Sequence, residues 1–423
     1  MLDIKLIREN PEIIKKDLEK RDKLDLIKKV DEIRELDILW RENLQKVEKL
    51  KHQRNVLSRE VAQLKKAGKD ATEKLNLVKE IPKKIVDVEE KTDSIQVKIK
   101  KIMFQLPNIL HDTVPVGADD TQNVSVKKWG KPRKDKTISH VDLLEKWDVG
   151  DTARGAKTSG SRFYFLKNEL VMLDMALQKF GMDHMMNKGL IPMIPPYMLR
   201  REAYDAMTSM DDFEEVIYKI EDEDLYLIAT SEHPIGAYHM NETIEKKDLP
   251  LKYAGISPCF RKEAGSHGKD TKGIFRVHQF HKIEQFAFSM PEDSWKIHEE
   301  LLANAEELFQ KLEIPYQIVN VCTGDMGSIA AKKYDLEVWM PAQQKYREAV
   351  SNSNCTDYQA RRLNTKYLDG SKRDYVHTLN STAFATSRVI VAIMENFQDE
   401  DGVISIPEAL WPYMNGIKSI GKK

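Results

Sequence analysis

From Val78 onward the apolar positions fall at alternating steps of three and four: Val78, Ile81, Ile85 and Val88, then Thr92, Ile95, Ile99, Ile102 and Leu106. This spacing predicts a helix with a sustained heptad seam. A looser seam runs through Ile33, Leu36, Trp40, Leu44, Val47, Leu50, Leu57, Val61 and Leu64, and the polar stretch 65–70 between the two supplies a turn. Two long helices are therefore expected to fold back on each other as an antiparallel hairpin. Pro82 falls inside the second seam. Proline removes an amide donor and crowds the preceding turn, so a kink or a late helix start is expected there.

The pattern changes after the arm. Residues 106–136 hold Pro107, Pro115, Pro132, Gly117 and Gly130 with no helical period, and read as a linker. In 137–423, helix-like stretches at 161–186 and 294–312 alternate with strand-like ones at 225–229, 316–321 and 334–340. That mixture predicts an α+β domain with a largely antiparallel sheet. The expected division is a helical coiled-coil arm over 1–105, a linker over 106–136 and a catalytic domain over 137–423. The clearest hairpin signal lies in the last of these. Strand formers fill 251–260, large apolar and polar residues alternate over 274–288, and Gly265, Gly268 and Gly273 stand in the loop between.

Composition fits this division. A chain of 423 residues exceeds one ordinary domain, and 41% hydrophobic with 32% charged residues excludes fibrous and disordered classes. The formal net charge of −1 hides a local asymmetry. Residues 1–105 hold 27 Lys or Arg against 21 Asp or Glu, and 45–79 alone hold 10 against 4, so the whole surplus of 6 sits in the distal half of the hairpin. There Lys46, Lys49, Lys51, Arg54, Arg59, Lys65, Lys66, Lys69, Lys74 and Lys79 can meet a phosphate backbone without reading its sequence. Taken alone, such a run is more commonly a solvated coiled-coil face or a dimerisation helix. Three cysteines, Cys259, Cys322 and Cys355, form neither a CxxC pair nor an even set, which suits a reducing compartment and gives no reason to expect zinc. The charged N-terminus and the lack of a long apolar stretch point to a cytoplasmic enzyme without a membrane span.

Candidate chemistry gathers on the hairpin. Arg261, Glu263, Arg276 and Glu284 stand at its strand ends with Phe280 between them, a set suited to phosphate oxygens, an aromatic base and an ammonium group. There is no GxxxxGK[ST] loop and no GxGxxG turn, so an Arg-rich hairpin is the best grip for ATP that the chain offers. Phe280 also reads as an ordinary core aromatic and Arg261 as a surface ion pair. His267, His278 and His281 read as structural rather than catalytic.

The segments 159–164, 263–270 and 106–117, with the basic arm before them, resemble seryl-tRNA synthetases of the common, non-zinc type. These are class II aminoacyl-tRNA synthetases. Their first motif is similar to 188–197, with Pro196 at the position of the dimer-interface proline. The second resembles the hairpin with Arg261 and 280–284. The third is similar to 379–388, where Ala385, Thr386 and Ser387 stand in place of the usual glycine. The resemblance implies a class II catalytic domain with its sheet flanked by helices, and a cytoplasmic homodimer whose arm grips tRNA(Ser). It implies ATP-dependent attachment of L-serine to tRNA through seryl-adenylate, with ATP as substrate and Mg2+ beside it; charging of tRNA(Sec) stays open.

The implied residues follow the motifs. Arg261 and Arg388 would serve catalysis. Thr230, Ser231, Glu232, Arg261, Glu284, Asn380 and Thr382 would hold serine. For ATP they are Arg261, Lys262, Glu263, Val277, Phe280, Glu348, Ala349, Val350, Ser351 and Arg388, with Glu348 and Ser351 as Mg2+ ligands. Two rival readings fit the residues less well. A paralogue loading a carrier protein would lack the basic arm, and a degenerate coiled-coil binding protein would have lost Arg261, Glu284 or Arg388; this chain keeps all of them.

Overall fold

The computed structural model describes residues 1–208, 214–263 and 272–421. It divides into two compact units, Met1–Pro107 and Asn108–Lys423.

In the first unit, short helices α1 (Ile4–Glu9) and α2 (Pro11–Lys20) precede the long pair α3 (Ile27–Lys66) and α4 (Thr72–Met103). The expected seams meet. Ile33, Val47 and Val61 of α3 and Ile81, Ile85 and Ile99 of α4 are buried, each worth about 1.5–3 kcal/mol of apolar burial. Leu44 is the exception, 38% exposed. The polar seam residue Thr92 is buried because its hydroxyl donates back to the Val88 carbonyl at 2.7 Å. Just ahead of the return helix, Asp70 accepts from the Thr72 amide at 2.9 Å. Helix α4 begins ten residues before Pro82 and continues through it, so the late start is not observed. Pro82 lies on the exposed face, where water can satisfy the carbonyl that loses its partner. Buried Asp37 takes two bonds from Arg8, at 2.8 and 2.7 Å, and one from Arg41 at 3.0 Å, tying α1 to α3.

The second unit is built on one eight-stranded sheet. Its strands in chain order are β1 (Val124–Trp129), β2 (Ile191–Met193), β3 (Leu251–Phe260), β4 (Gln279–Ser289), β5 (Tyr316–Asn320), β6 (Lys332–Met340), β7 (Lys345–Asn354) and β8 (His377–Ala385). They lie side by side as β1-β5-β6-β7-β8-β4-β3-β2. Every neighbouring pair is antiparallel except β2 with β3. This is the α+β class expected from the alternating segments. The helices Glu169–Asn187, Ser294–Lys311 and Thr386–Asn396 pack apolar faces on the sheet, burying Leu173, Leu177, Phe309, Val389 and Ile393 against Ile283, Leu336 and Phe384.

Two local expectations change. The stretch read as linker supplies an edge strand, since Val124–Trp129 pairs with β5, and Asn108 is anchored by bonds to the Ile329 and Cys355 carbonyls at 3.0 and 2.8 Å. A six-residue strand among prolines leaves too short a period to stand out. The helix expected from residue 161 begins at Glu169 instead. Phe165–Leu166 pairs with Gly150–Asp151, and left-handed backbone at Arg162 and Asn168 (φ 64° and 51°) cannot continue a helix.

Candidate active site

The predicted hairpin is present. β3 and β4 pair with Gly255 opposite Glu284 and Cys259 opposite Phe280. The left-handed Gly273 of the connecting loop (φ 77°) passes His140 so closely that a Cβ there would lie 2.1 Å from its ring nitrogen. The loop segment 264–271, including Gly265, His267 and Gly268, lies outside the described residues.

Side chains alternate across a strand, so Phe280, Lys282 and Glu284 share one face of β4. All three reach into a cavity of about 310 Å³. Strand β8 adds Asn380, Thr382 and Ala385, β7 adds Glu348, Ala349 and Ser351, and β6 adds Lys333. Arg261 and Glu263 enter from the end of β3, Phe275, Arg276 and Val277 from the return of the loop, and Glu232, Ser387 and Arg388 from helix starts.

Two bulges aim these residues. In β7, Ser351 pairs with Asp335, Val350 with Leu336 and Glu348 with Glu337, leaving Ala349 as the extra residue. The bulge turns Glu348 onto the face of Ser351 and sends Val350 into the core. In β8, Thr382 pairs with Glu284 and Phe384 with Ile283, so Ala383 is the extra residue. Thr382 and Ala385 thereby both face the cavity while Phe384 is buried behind them.

One end of the cavity is acidic and hydroxylic. Thr382 donates its hydroxyl to Glu284 at 3.2 Å, and Asn380 donates to Glu232 at 3.1 Å. The ammonium of Lys282 pairs with the same Glu284 carboxylate, and both side chains are almost completely buried. Burial, reinforced by Glu284, pushes the Glu232 carboxyl above its ordinary pKa against the pull of Lys282 and Arg261. Burial also keeps His233 neutral, with its pKa down at about 3.

The other end is cationic and aromatic. Arg261 donates its Nε to the Ala229 carbonyl at 3.2 Å and lays its guanidinium over Phe280, 5.4 Å from the ring centre. Arg388 donates to the Glu348 carbonyl at 2.9 Å and lies 3.5 Å from its carboxylate. Phe275 is flanked by the guanidiniums of Arg388 and Arg347, at 5.2 and 4.5 Å. Glu263 takes left-handed backbone (φ 52°) and accepts from Arg276 at 2.9 Å. Strained backbone held by an ion pair is common where a site fixes a ligand. Burial acts to raise the pKa of Glu348, but Arg388, Lys333, Arg261 and Arg276 outweigh it and hold the carboxylate ionised.

Most predicted residues converge here. Four do not line the cavity: Thr230 accepts from the Glu232 amide at 3.1 Å, Ser231 donates to the Gly255 carbonyl at 3.4 Å, Lys262 is exposed over Tyr218, and Val350 is in the core. Lys282, Lys333, Phe275, Ala385 and Ser387 line it without having been expected. Their shared face with Phe280 and Glu284 is the signal for Lys282. The departure from glycine in 385–387 has an ordinary explanation, because Ala385 has a φ of −100° and needs no glycine. His278 donates to the Arg261 carbonyl at 2.7 Å and His281 pairs with Asp174 at 3.1 Å, both structural uses.

This geometry can be set beside known proteins. The description "Seryl-tRNA synthetase N-terminal domain" matches residues 1–110, and "tRNA synthetase class II core domain (G, H, P, S and T)" matches 217–397. The serine–tRNA ligase of Pyrococcus horikoshii is 54% identical, covering 99% of this chain and 97% of its own. The chain belongs to the seryl-tRNA synthetase family. The crystal structure of the seryl-tRNA synthetase from P. horikoshii complexed with ATP is similar with a TM-score of 0.96 over 100% of both chains. That of the cytoplasmic enzyme from Naegleria fowleri in complex with AMP gives 0.91 at 37% identity, covering 100% of this chain and 99% of that one. The hairpin, the two bulges and the helix carrying Arg388 all line the same cavity.

Proposed function

We propose that the cavity joins L-serine to ATP as seryl-adenylate, releasing pyrophosphate, and then transfers the seryl group to the 3′-hydroxyl of the terminal adenosine of tRNA(Ser). The observation that carries this reading is the polarity of the cavity, with carboxylates and a hydroxyl at one end and guanidiniums beside aromatic rings at the other. Activation brings the serine carboxylate against the α-phosphate, two anions that repel. A fixed cation between them neutralises both and aligns them for in-line attack. Arg261, which lines the cavity, suits that task, since its planar fork can address two oxyanions at once. Phe280 offers its ring to adenine, the Glu263 and Val277 backbone its edges, and Arg388 a second cation for the nucleotide.

Serine selection rests on pairing every polar group of the substrate. A site built to hydrogen-bond a hydroxyl rejects analogues that lack it far better than apolar contact does. Glu232, Glu284, Asn380 and Thr382 supply those partners. The donors available to Mg2+ are hard oxygens, the ionised Glu348 carboxylate and the Ser351 hydroxyl, on one cavity wall. Among the described residues no group of three or more His, Cys, Asp or Glu could hold a metal alone. Mg2+ commonly shares its coordination with phosphates and water. When bound, Mg2+ supplies charge neutralisation on the polyphosphate.

The basic residues of α3 and α4 suit a tRNA backbone, recognised by shape and phosphate rather than by base edges. A homodimer is supported by exposed apolar residues on and beside edge strand β2: Ile191, Ile194, Tyr197 and Met198. The test is ATP–pyrophosphate exchange with single amino acids, followed by charging of total tRNA. Exchange with serine alone supports the reading, and serine-independent exchange overturns it.

A further inference from the structure

Lys333 of β6 lines the cavity without a part in the reading given above. Its placement follows from strand register. Lys333 and Asp335 share a face of β6, and Asp335 pairs with Ser351 of β7, which also lines the cavity. The Lys333 ammonium lies 3.1 Å from the Asp335 carboxylate, across from Ser351. Asp335, 6% exposed, is buried within the wall, whereas Lys333, 19% exposed, opens on the cavity. The ion pair thus presents its cation to a ligand. Burial works against that charge, but Asp335, Glu348 and Asp325 outweigh it and keep Lys333 an ammonium.

The other cations at the nucleotide end have their own partners. Arg276 is held by Glu263 at 2.9 Å, Arg388 by Glu348 at 3.5 Å, and Arg261 by Ala229 and Phe280. Adenylate formation adds charge to the far end of the triphosphate. A serine carboxylate oxygen forms a bond to the α-phosphorus, the bond from that phosphorus to the bridging oxygen breaks, and its electron pair leaves with pyrophosphate. A fixed cation lowers the cost of that growing charge. On the strands that carry the Mg2+ donors Glu348 and Ser351, and on the strand beside them, the cation lining the cavity is Lys333. An ammonium has three donors, so its contact with Asp335 leaves it able to serve phosphate oxygens as a point charge.

We propose that Lys333 binds the β- and γ-phosphates of ATP and holds the pyrophosphate that leaves. This deepens the serine-activating reading of the cavity and rests on it. Asp335 aims the ammonium from within the wall and does not touch the ligand. A contact made only to the two outer phosphates distinguishes ATP from AMP, which lacks them. Loss of Lys333 therefore weakens the binding of ATP and of pyrophosphate and spares that of AMP. The lost contact can be separated from the charge it leaves behind, because Lys333 and Asp335 can be neutralised together.

The test is calorimetric titration of the full-length protein with ATP and with AMP, both with Mg2+ and without serine. Lys333→Met is expected to raise the Kd for ATP about tenfold or more, the scale of a hydrogen bond to a charged group, and to leave that for AMP unchanged. Lys333→Arg keeps a cation there and is expected to retain most of the affinity for ATP. Lys333→Met combined with Asp335→Asn removes the pair without stranding a buried carboxylate, and is expected to lose affinity for ATP as the single variant does. If Lys333→Met alone fails to fold, the paired variant decides. An unchanged Kd for ATP in the paired variant overturns the proposal, and so does an equal loss for ATP and AMP. In exchange assays the KM for pyrophosphate should rise while that for serine holds, and the opposite pattern also overturns it. Wild type that binds no ATP, or that exchanges without serine, would sink the serine-activating reading itself, whereas an unaltered preference for ATP over AMP in the variants removes only the role of Lys333.

Discussion

The guanidinium of Arg261 lies 5.4 Å from the centre of the Phe280 ring, and its Nε is tied to the Ala229 carbonyl at 3.2 Å. In the proposed reading Arg261 is the cation between two anions, and these contacts fix it in advance against the ring offered to adenine. Preorganisation of this kind costs no reorganisation during the reaction.

Arg261→Ala is expected to lower serine-dependent pyrophosphate exchange by about 10²–10³-fold, the scale of removing one preorganised donor. Arg261→Lys is expected to recover little, because an ammonium lacks the planar fork. Exchange kinetics on the purified variants check both.

Glu348 and Arg388 are coupled through a 2.9 Å bond to the Glu348 carbonyl and a 3.5 Å approach to its carboxylate. Glu348→Gln should raise the Mg2+ concentration needed for half-maximal exchange by about tenfold or more. Chelation of Mg2+ should abolish exchange in the wild type. A Mg2+ titration of both proteins measures the difference.

The arm and the cavity should separate. Replacing Lys65, Lys66 and Lys69 by Gln is expected to leave pyrophosphate exchange unchanged and to weaken tRNA charging. The log–log salt dependence of tRNA binding should flatten by about 0.7–0.9 for each phosphate that the arm no longer neutralises. Equal loss of exchange would contradict the separation.

Gly181 lies where the helix Glu169–Asn187 crosses the sheet. A Cβ there would meet Ile283 at 2.5 Å and Phe384 at 3.0 Å. Alanine gains about 0.5–1 kcal/mol of helix propensity over glycine, but overpacking a filled core costs about 1–3 kcal/mol, so the loss should win. Gly181→Ala is expected to lower the midpoint of thermal unfolding, and an unchanged or higher midpoint would show that the neighbouring side chains relax around the added methyl.

The parts of this molecule legible in the sequence are those that are periodic or chemically distinctive. The seams of α3 and α4 are readable because three-and-four spacing persists over many turns, and the β3–β4 hairpin because strand formers flank a glycine-rich loop. What escapes depends on pairing between distant segments. Lys333 reaches the cavity only through the register of β6 on β7, and Glu348 only because Ala349 bulges. Val350 is expected at the nucleotide for the same reason: without the bulge, strand alternation does not separate it from Glu348. Strand β1 is short, and its neighbour β5 lies almost two hundred residues downstream in sequence. Lys282 is within reach of the alternation rule, which sets it on the same face as Phe280 and Glu284.

The central proposal is that one cavity activates serine with ATP, and its most direct measurement is ATP–pyrophosphate exchange with serine, threonine, glycine and proline supplied one at a time to the full-length protein. Exchange with serine and none above background with the other three is the predicted result; exchange driven by another of these amino acids, or none with serine, would contradict it.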